Sequence, residues 1–240
     1  MKTRREFLEW MAGAAVMLSA RPASESRPYN GANVEVPEML DHILLGCSDL
    51  ERGIAFVEER TGVKAAFGGV HPGRGTQNAL LSLGERHYLE IIAPDPQQSG
   101  DDHASRLGKM TGPQLIGWAI HPGNLQDLAS RLARAGIGTH GPTSGSRKRP
   151  DGRELHWTTL TVQNDSDGLL PFSIEWGAET VHPSVDAPKG CALKKFWVES
   201  PEAEKLTKQF AVLGVEVEAK RGDRARLRAR IAGPKGEIEL

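Results

Sequence analysis

Residues 39–240 predict an α+β fold built from repeated strand–helix–strand–strand–strand (βαβββ) units, two full and a third shorter, forming a mostly antiparallel sheet. Three observations carry this reading. Short apolar runs of strand length recur ahead of a helix-capping residue. Each cap opens a stretch with apolar residues at helical spacing, closed by a glycine. Each unit then ends on the same kind of strand, Tyr88-Leu89-Glu90-Ile91, Ser173-Ile174-Glu175-Trp176 and Glu237-Ile238-Glu239-Leu240. Such self-similarity is the mark of a repeated supersecondary unit.

The first unit opens with a strand at Leu40–Gly46. Ser48 or Asp49 caps a helix to about Arg60 that carries Leu50, Ile54 and Val57 on one face and stops at Gly62. Strands are expected around Lys64–Val70, Gln77–Leu83 and His87–Ala93. In the second unit the strand Leu115–Ile120 precedes Asn124, the cap of a helix bearing Leu125, Leu128, Leu132 and Ala135 and ended by Gly136. Its strands follow around Thr139–Ser146, Glu154–Val162 and Leu170–Trp176, with Pro150-Asp151-Gly152 as a turn. The third unit has a strand at Ala192–Val198. Ser200 is its expected cap, with Pro201 at the first helical position, Leu206, Phe210 and Leu213 facing inward, and Gly214 as the stop. Strands at Val215–Lys220, Arg224–Ile231 and Gly236–Leu240 complete it. The expected division is therefore 39–187 for the paired units and 188–240 for the third.

Two polar side chains interrupt strands that otherwise seek burial. Alternation puts Ile43 and Leu45 on one face of the first strand and His42 and Leu44 on the other. In the last strand of the unit, Leu89 and Ile91 oppose Tyr88 and Glu90. A buried carboxylate is costly unless paired or metal-bound, and imidazole with carboxylate is a metal-ligating combination. The alternative is a satisfied core histidine beside an edge glutamate.

Residues 1–38 lie outside the repeat. Thr3-Arg4-Arg5-Glu6-Phe7-Leu8 matches a twin-arginine export motif, and the apolar stretch after it is too short for a stable membrane anchor. Residues 1–23 are thus expected to be a signal peptide directing export to the periplasm, a frayed amphipathic N-terminus being the alternative, and 24–38 a linker. Removal of 1–23 leaves 26 basic and 29 acidic residues, a net charge of −3 against −1 for the whole chain. Neither value supplies the basic excess that nucleic-acid binding requires. Two cysteines, Cys47 and Cys191, rule out a cysteine zinc cluster. They are expected as buried free thiols, or as one disulfide in an oxidising compartment.

A βαβββ unit with an early histidine in its first strand and a glutamate in its last resembles the vicinal oxygen chelate superfamily. More narrowly, Gly68-to-Gly84 (GGVHPGRGTQNALLSLG), YLEIIA, SRKRPDG, PFSIEW and HPSVDAPKGC resemble the glyoxalase-like domain family over essentially all of 38–240. The resemblance implies a cup formed by paired units, with a divalent metal held by the first and last strands of two units. Carried over on the helix starts, the metal ligands are His42, Glu90 and Glu175, with Gly117 standing where a fourth ligand belongs. His71, His121 or His156 could replace it. The implied ion is Mn²⁺, Fe²⁺ or Zn²⁺, and the implied activity is that of a lyase, isomerase or dioxygenase on a small oxygen-rich molecule, with Glu90 or Glu175 as proton acceptor. The loss at Gly117 leaves open a non-catalytic ligand-sequestering protein. His71, Arg74 and Asn78 in the glycine-rich turn, and Arg147 by its guanidinium fork, are the candidate substrate-binding residues. The partner is a small molecule; a homodimer is left open.

Overall fold

The computed structural model describes residues 35–163 and 168–240. The export motif at Thr3–Leu8 lies outside the described residues.

The two full units form as the caps and apolar spacing dictate. β1 (Leu40–Gly46) is followed by Asp49, whose carboxylate accepts from Arg52 N at 2.8 Å and opens α1 (Leu50–Thr61). Gly62 ends α1 in the left-handed conformation at φ 82°, which favours glycine. β2 (Ala66–His71), β3 (Thr76–Ser82) and β4 (Tyr88–Pro94) follow. A short helix, α2 (Asp102–Gly108), capped by Asp101, was not expected. The second unit is β5 (Gln114–Ile120), α3 (Leu125–Arg134) capped by Asn124, β6 (Thr139–Lys148), β7 (Glu154–Val162) and β8 (Phe172–Trp176).

All eight strands join one sheet in the order β2-β3-β4-β1-β5-β8-β7-β6. Within each unit the first and last strands pair in parallel, β1 with β4 and β5 with β8. The units meet where β1 runs antiparallel to β5. The sheet curls into a half-barrel. Its end strands β2 and β6 approach closely enough for the Arg147 guanidinium to donate to the Gly68 carbonyl. His103 of α2 lines the concave side, whereas α1 and α3 cover the convex one. α1 buries Leu50, Ile54 and Val57 there, and comes so close at Gly53 that a β-carbon would stand 2.6 Å from Cys47 Sγ and Ile91 Cγ2. Cys47 and Cys191 are both buried and unpaired.

After α4 (Pro183–Asp186), the third unit runs β9 (Ala192–Ser200), α5 (Ala203–Leu213), β10 (Glu218–Arg221), β11 (Arg226–Gly233) and β12 (Gly236–Glu239). It keeps the element order of the others but pairs its strands differently, as a separate sheet ordered β10-β9-β11-β12. β9 takes β10 as its parallel neighbour and β11 on its other edge. Ser200 does not cap α5 as expected. Its hydroxyl accepts from Glu202 N in a turn ahead of the helix, which starts two residues later with no side-chain cap.

This unit packs on the convex side. Trp118 of β5, fully buried, meets the rings of Phe196 and Phe210 at 5.0 and 5.8 Å. Backbone links run from Phe196 N to Glu35 O and from Leu193 N to Leu83 O, and Arg131 donates to Leu213 O. Phe210→Ala removes a fully buried ring from this contact. It should lower unfolding free energy by about 3–5 kcal/mol in urea titration. A loss below about 1 kcal/mol would contradict the packing described.

Candidate functional site

Strand register brings the two interrupting residues to one face. In the parallel pair β1–β4, His42 stands opposite Tyr88 and Leu44 opposite Glu90. Side chains opposite one another share a face, so His42, Tyr88 and Glu90 all project into the concave side. β3 adds Asn78, and His71 arrives from the end of β2.

These side chains converge on the Glu90 carboxylate. His42 Nε2 lies 3.5 Å from Glu90 Oε2, and His71 Nε2 lies 3.6 Å from Glu90 Oε1. The Asn78 amide donates to Glu90 Oε1 at 2.7 Å. Burial pushes the Glu90 carboxyl up, but His71, His42, the Asn78 amide and the Arg147 guanidinium outweigh it and hold Glu90 below its ordinary value. Burial foremost holds His71 below its ordinary value, against the pull of Glu90. Arg147, whose guanidinium keeps its charge at neutral pH, is buried on the same side.

The far nitrogen of each imidazole is also engaged. His71 Nδ1 is 2.8 Å from Thr76 Oγ1, and His42 Nδ1 is 2.7 Å from Asp41 Oδ1. Asp41 is fully buried yet sits beside His42 in the same strand. The β1–β5 register slips between Leu40 and His42, leaving Asp41 unpaired against β5; such a bulge re-aims a side chain. Its other oxygen accepts from Trp176 Nε1 at 3.0 Å and meets His182 Nε2 at 3.2 Å. Burial pushes the Asp41 carboxyl up. The hydrogen bonds and charge of His182 and His42 outweigh it and hold Asp41 well below the ordinary carboxylate range.

The cup encloses about 410 Å³. The His42 ring stacks on Tyr88 with centroids 4.4 Å apart and meets Phe172 edge-on at 5.5 Å. Trp176, on the same face of β8 as Phe172 and packed toward Tyr88, and Trp157 of β7 also line the cup, and hydroxyls of Ser146, Thr143 and Thr159 line the β6–β7 side. Gly145 lets Trp157 lie across β6, since a β-carbon there would stand 2.7 Å from the indole.

Four of the sequence candidates, His42, His71, Asn78 and Glu90, thus form one group. Arg147 lines the same cup, and Arg74 lies at its exposed mouth, 3.9 Å from Asp101. Glu175 does not join them. Phe172, Ile174 and Trp176 of β8 face the cup, so Glu175 faces the convex side, exposed, where it accepts from Leu125 N at the start of α3. Register explains this. Leu44 and Ala119 stand equally far ahead of the caps Asp49 and Asn124, and they pair with Glu90 and Phe172 respectively. Phe172, not Glu175, is the second unit's counterpart of Glu90. Gly117 shares the face of Leu44, and neither other named histidine reaches the cup. His156 is exposed beside Glu154, and His121 does not line the cavity. Asp41, His182, Phe172 and Trp176 escaped the sequence reading. Asp41 carried a usable signal, a carboxylate inside the apolar run Leu40–Gly46.

Replacing Asp41 with Asn removes the charge that three donors share. The variant should unfold at about 2–5 kcal/mol less free energy than wild type at pH 7. Because the folded carboxyl titrates low, the difference should be full above about pH 4, the ordinary carboxylate value, and shrink as pH falls below it. Equal stability at pH 7 would contradict the role given to Asp41.

A family model described as a glyoxalase-like domain matches residues 40–214. No curated protein sequence matches the chain. Among solved structures, a hypothetical protein from Staphylococcus aureus is similar with a TM-score of 0.62 at 15% identity, over 78% of this chain and 87% of that one. A methylmalonyl-CoA epimerase from Mycobacterium tuberculosis is similar at a TM-score of 0.44 and 21% identity, over 61% of this chain and 93% of that one. At such identities the likeness speaks for the fold alone, and it does so through the Staphylococcus aureus structure. With its repeated units, curled sheet and matched residues taken together, the chain belongs to the glyoxalase-like domain family.

Proposed function

We propose that this chain is a divalent-metal-dependent enzyme of the glyoxalase type, a lyase, isomerase or dioxygenase, acting on a small oxygen-rich molecule held in the cup. His42, His71 and Glu90 are the proposed protein ligands. One observation supports this above others. The Nε2 atoms of His42 and His71 face the two oxygens of Glu90 while their Nδ1 atoms are engaged by Asp41 and Thr76. A hydrogen bond at Nδ1 fixes a ligating imidazole and frees Nε2 for a cation. The donor beside them in this structure is the Asn78 amide, 3.3 Å from His71 Nε2 and 2.7 Å from Glu90 Oε1.

The donor set fits a borderline ion such as Mn²⁺, Fe²⁺ or Zn²⁺ in chemistry and in number, with positions left for substrate. Among the described residues, no three His, Cys, Asp or Glu side chains stand at coordination geometry; the 3.5 and 3.6 Å separations are those of side chains gathered around one another. His42, His71 and Glu90 would hold the ion, which would supply Lewis-acid polarisation of neighbouring substrate oxygens. The chain's own residues do the rest. Asn78 holds the Glu90 carboxylate in place through its amide. Glu90, not the outward Glu175, is the carboxylate positioned to accept a substrate proton. Tyr88, Phe172, Trp157 and Trp176 shield the bound molecule from water.

The second reading, a binding protein without chemistry, draws support from Gly117 and Phe172, which leave the second unit without either ligand. Melting curves separate the readings. Excess Mn²⁺, Fe²⁺ or Zn²⁺ should raise the melting temperature of chelator-treated wild type, since an ion at about 100 times its Kd adds about 2.7 kcal/mol. His42→Ala and His71→Ala should abolish the response, and Glu175→Gln should leave it intact. A wild type unmoved by all three ions would favour the binding protein, and loss of the response in Glu175→Gln would contradict the ligand set.

A further inference from the structure

Arg147 is the most unusual charge in the molecule. It is 4% exposed. In the β6–β7 ladder it stands opposite Leu155, as Gly145 stands opposite Trp157 and Thr143 opposite Thr159. Arg147 therefore shares the face of Trp157 and Thr159, which line the cup, and it lines the cup itself. Its hydrogen-bond partner among the described residues is the Gly68 carbonyl, and no described carboxylate forms an ion pair with it. Glu90 attracts it through space without touching it, and that carboxylate is already engaged by Asn78 and flanked by two imidazoles.

A guanidinium cannot shed its charge at physiological pH, and it presents five N–H donors in a planar fork. Burying one without a counter-ion is costly. β2 makes room for the arginine instead of neutralising it. Gly69 has no side chain, and a β-carbon there would stand 2.8 Å from an Arg147 terminal nitrogen. The β6–β7 side of the cup is aromatic or hydroxylic, and the neighbouring Arg149 differs from Arg147 in having carboxylate partners, Asp151 and Asp186.

We infer that the cup's ligand is a small organic carboxylic acid with a flat apolar body, its carboxylate received by the Arg147 fork and its body lying among the rings of Tyr88, Trp157, Phe172 and Trp176. The inference rests on the cup being the ligand site, as in the proposed function, and adds the class of molecule. A single fork in an aromatic cavity of about 410 Å³ matches one planar monoanion. A phosphate, with nearly two charges, would have to sit near the ionised Glu90 with Arg147 as the one buried guanidinium to meet it.

Benzoate and benzamide test this, because they match in size and flatness and differ in charge. With full-length protein, benzoate should quench tryptophan fluorescence saturably and raise the melting temperature, and benzamide should do neither. Arg147→Met should weaken benzoate by at least about thirty-fold, the effect of removing one partner of a buried charge pair. Arg147→Met should also melt no lower than wild type in the absence of ligand, because the uncompensated charge is gone. Equal responses to the two probes, or none to benzoate, would overturn the inference. An unchanged benzoate affinity in Arg147→Met would do the same, and so would a markedly lower melting temperature, which would make the arginine a tie between β2 and β6. The metal titration is read separately. Loss of the metal response with benzoate binding intact counts against the metal ligands alone, and the converse counts against Arg147 alone.

Discussion

A carboxylate with no exposed surface ties the cup together. Asp41 lies in β1, the strand that pairs with β4 of its own unit and with β5 of the next. From there it holds His42 beside it, Trp176 at the end of β8 and His182 in the loop beyond. Three groups from two units thus share one buried charge. Such a network stabilises only when complete, since each missing partner leaves an uncompensated polar group. It also sets the chemistry. Because Asp41 takes the Nδ1 side of His42, the Nε2 side is turned toward Glu90, and the same carboxylate that joins the units orients the imidazole in the cup.

The cup is asymmetric for reasons that lie in register. The first unit supplies His42, His71, Asn78 and Glu90. The second supplies aromatic rings, hydroxyls and Arg147. Where the first unit carries His42 and Glu90, the second carries Gly117 and Phe172. One half is a polar, electron-rich cluster, and the other is a wall that can cover a flat ligand and hold one negative charge. Glycines permit this division. Gly145 lets Trp157 cross β6, and Gly68 and Gly69 let the β2 backbone approach Asn78 and Arg147, which a side chain on either would strike.

Much of this was legible in the residues. The run Leu40–Gly46 with its cap at Asp49, the stop at Gly62 and the cap at Asn124 mark elements that form where the sequence puts them. His42 and Glu90 announced themselves as polar groups in apolar strands. Glu175 misled because Ser173-Ile174-Glu175-Trp176 resembles Tyr88-Leu89-Glu90-Ile91, whereas the face a side chain takes is set by the partner strand, and Ala119 pairs with Phe172. A one-residue slip turns every side chain over, and local pattern does not reveal the slip. The pairing of the third unit was hidden for the same reason: alternation marks a strand but not its neighbour. Arg147 was legible as a guanidinium fork for a substrate, but its burial was not, since that comes from the curl that brings β6 to β2. His182 and Trp176 acquire their roles from Asp41, far away in the chain.

The central claim is that the first unit alone assembles a cation site from His42, His71 and Glu90. The most direct measurement is an anomalous difference map from crystals grown with Mn²⁺ and recorded at a wavelength where manganese scatters anomalously. The account predicts a single strong peak in the cup, bounded by Nε2 of His42, Nε2 of His71 and the Glu90 carboxylate. A cup without that peak, or manganese held instead at Glu175 on the convex side, would contradict it.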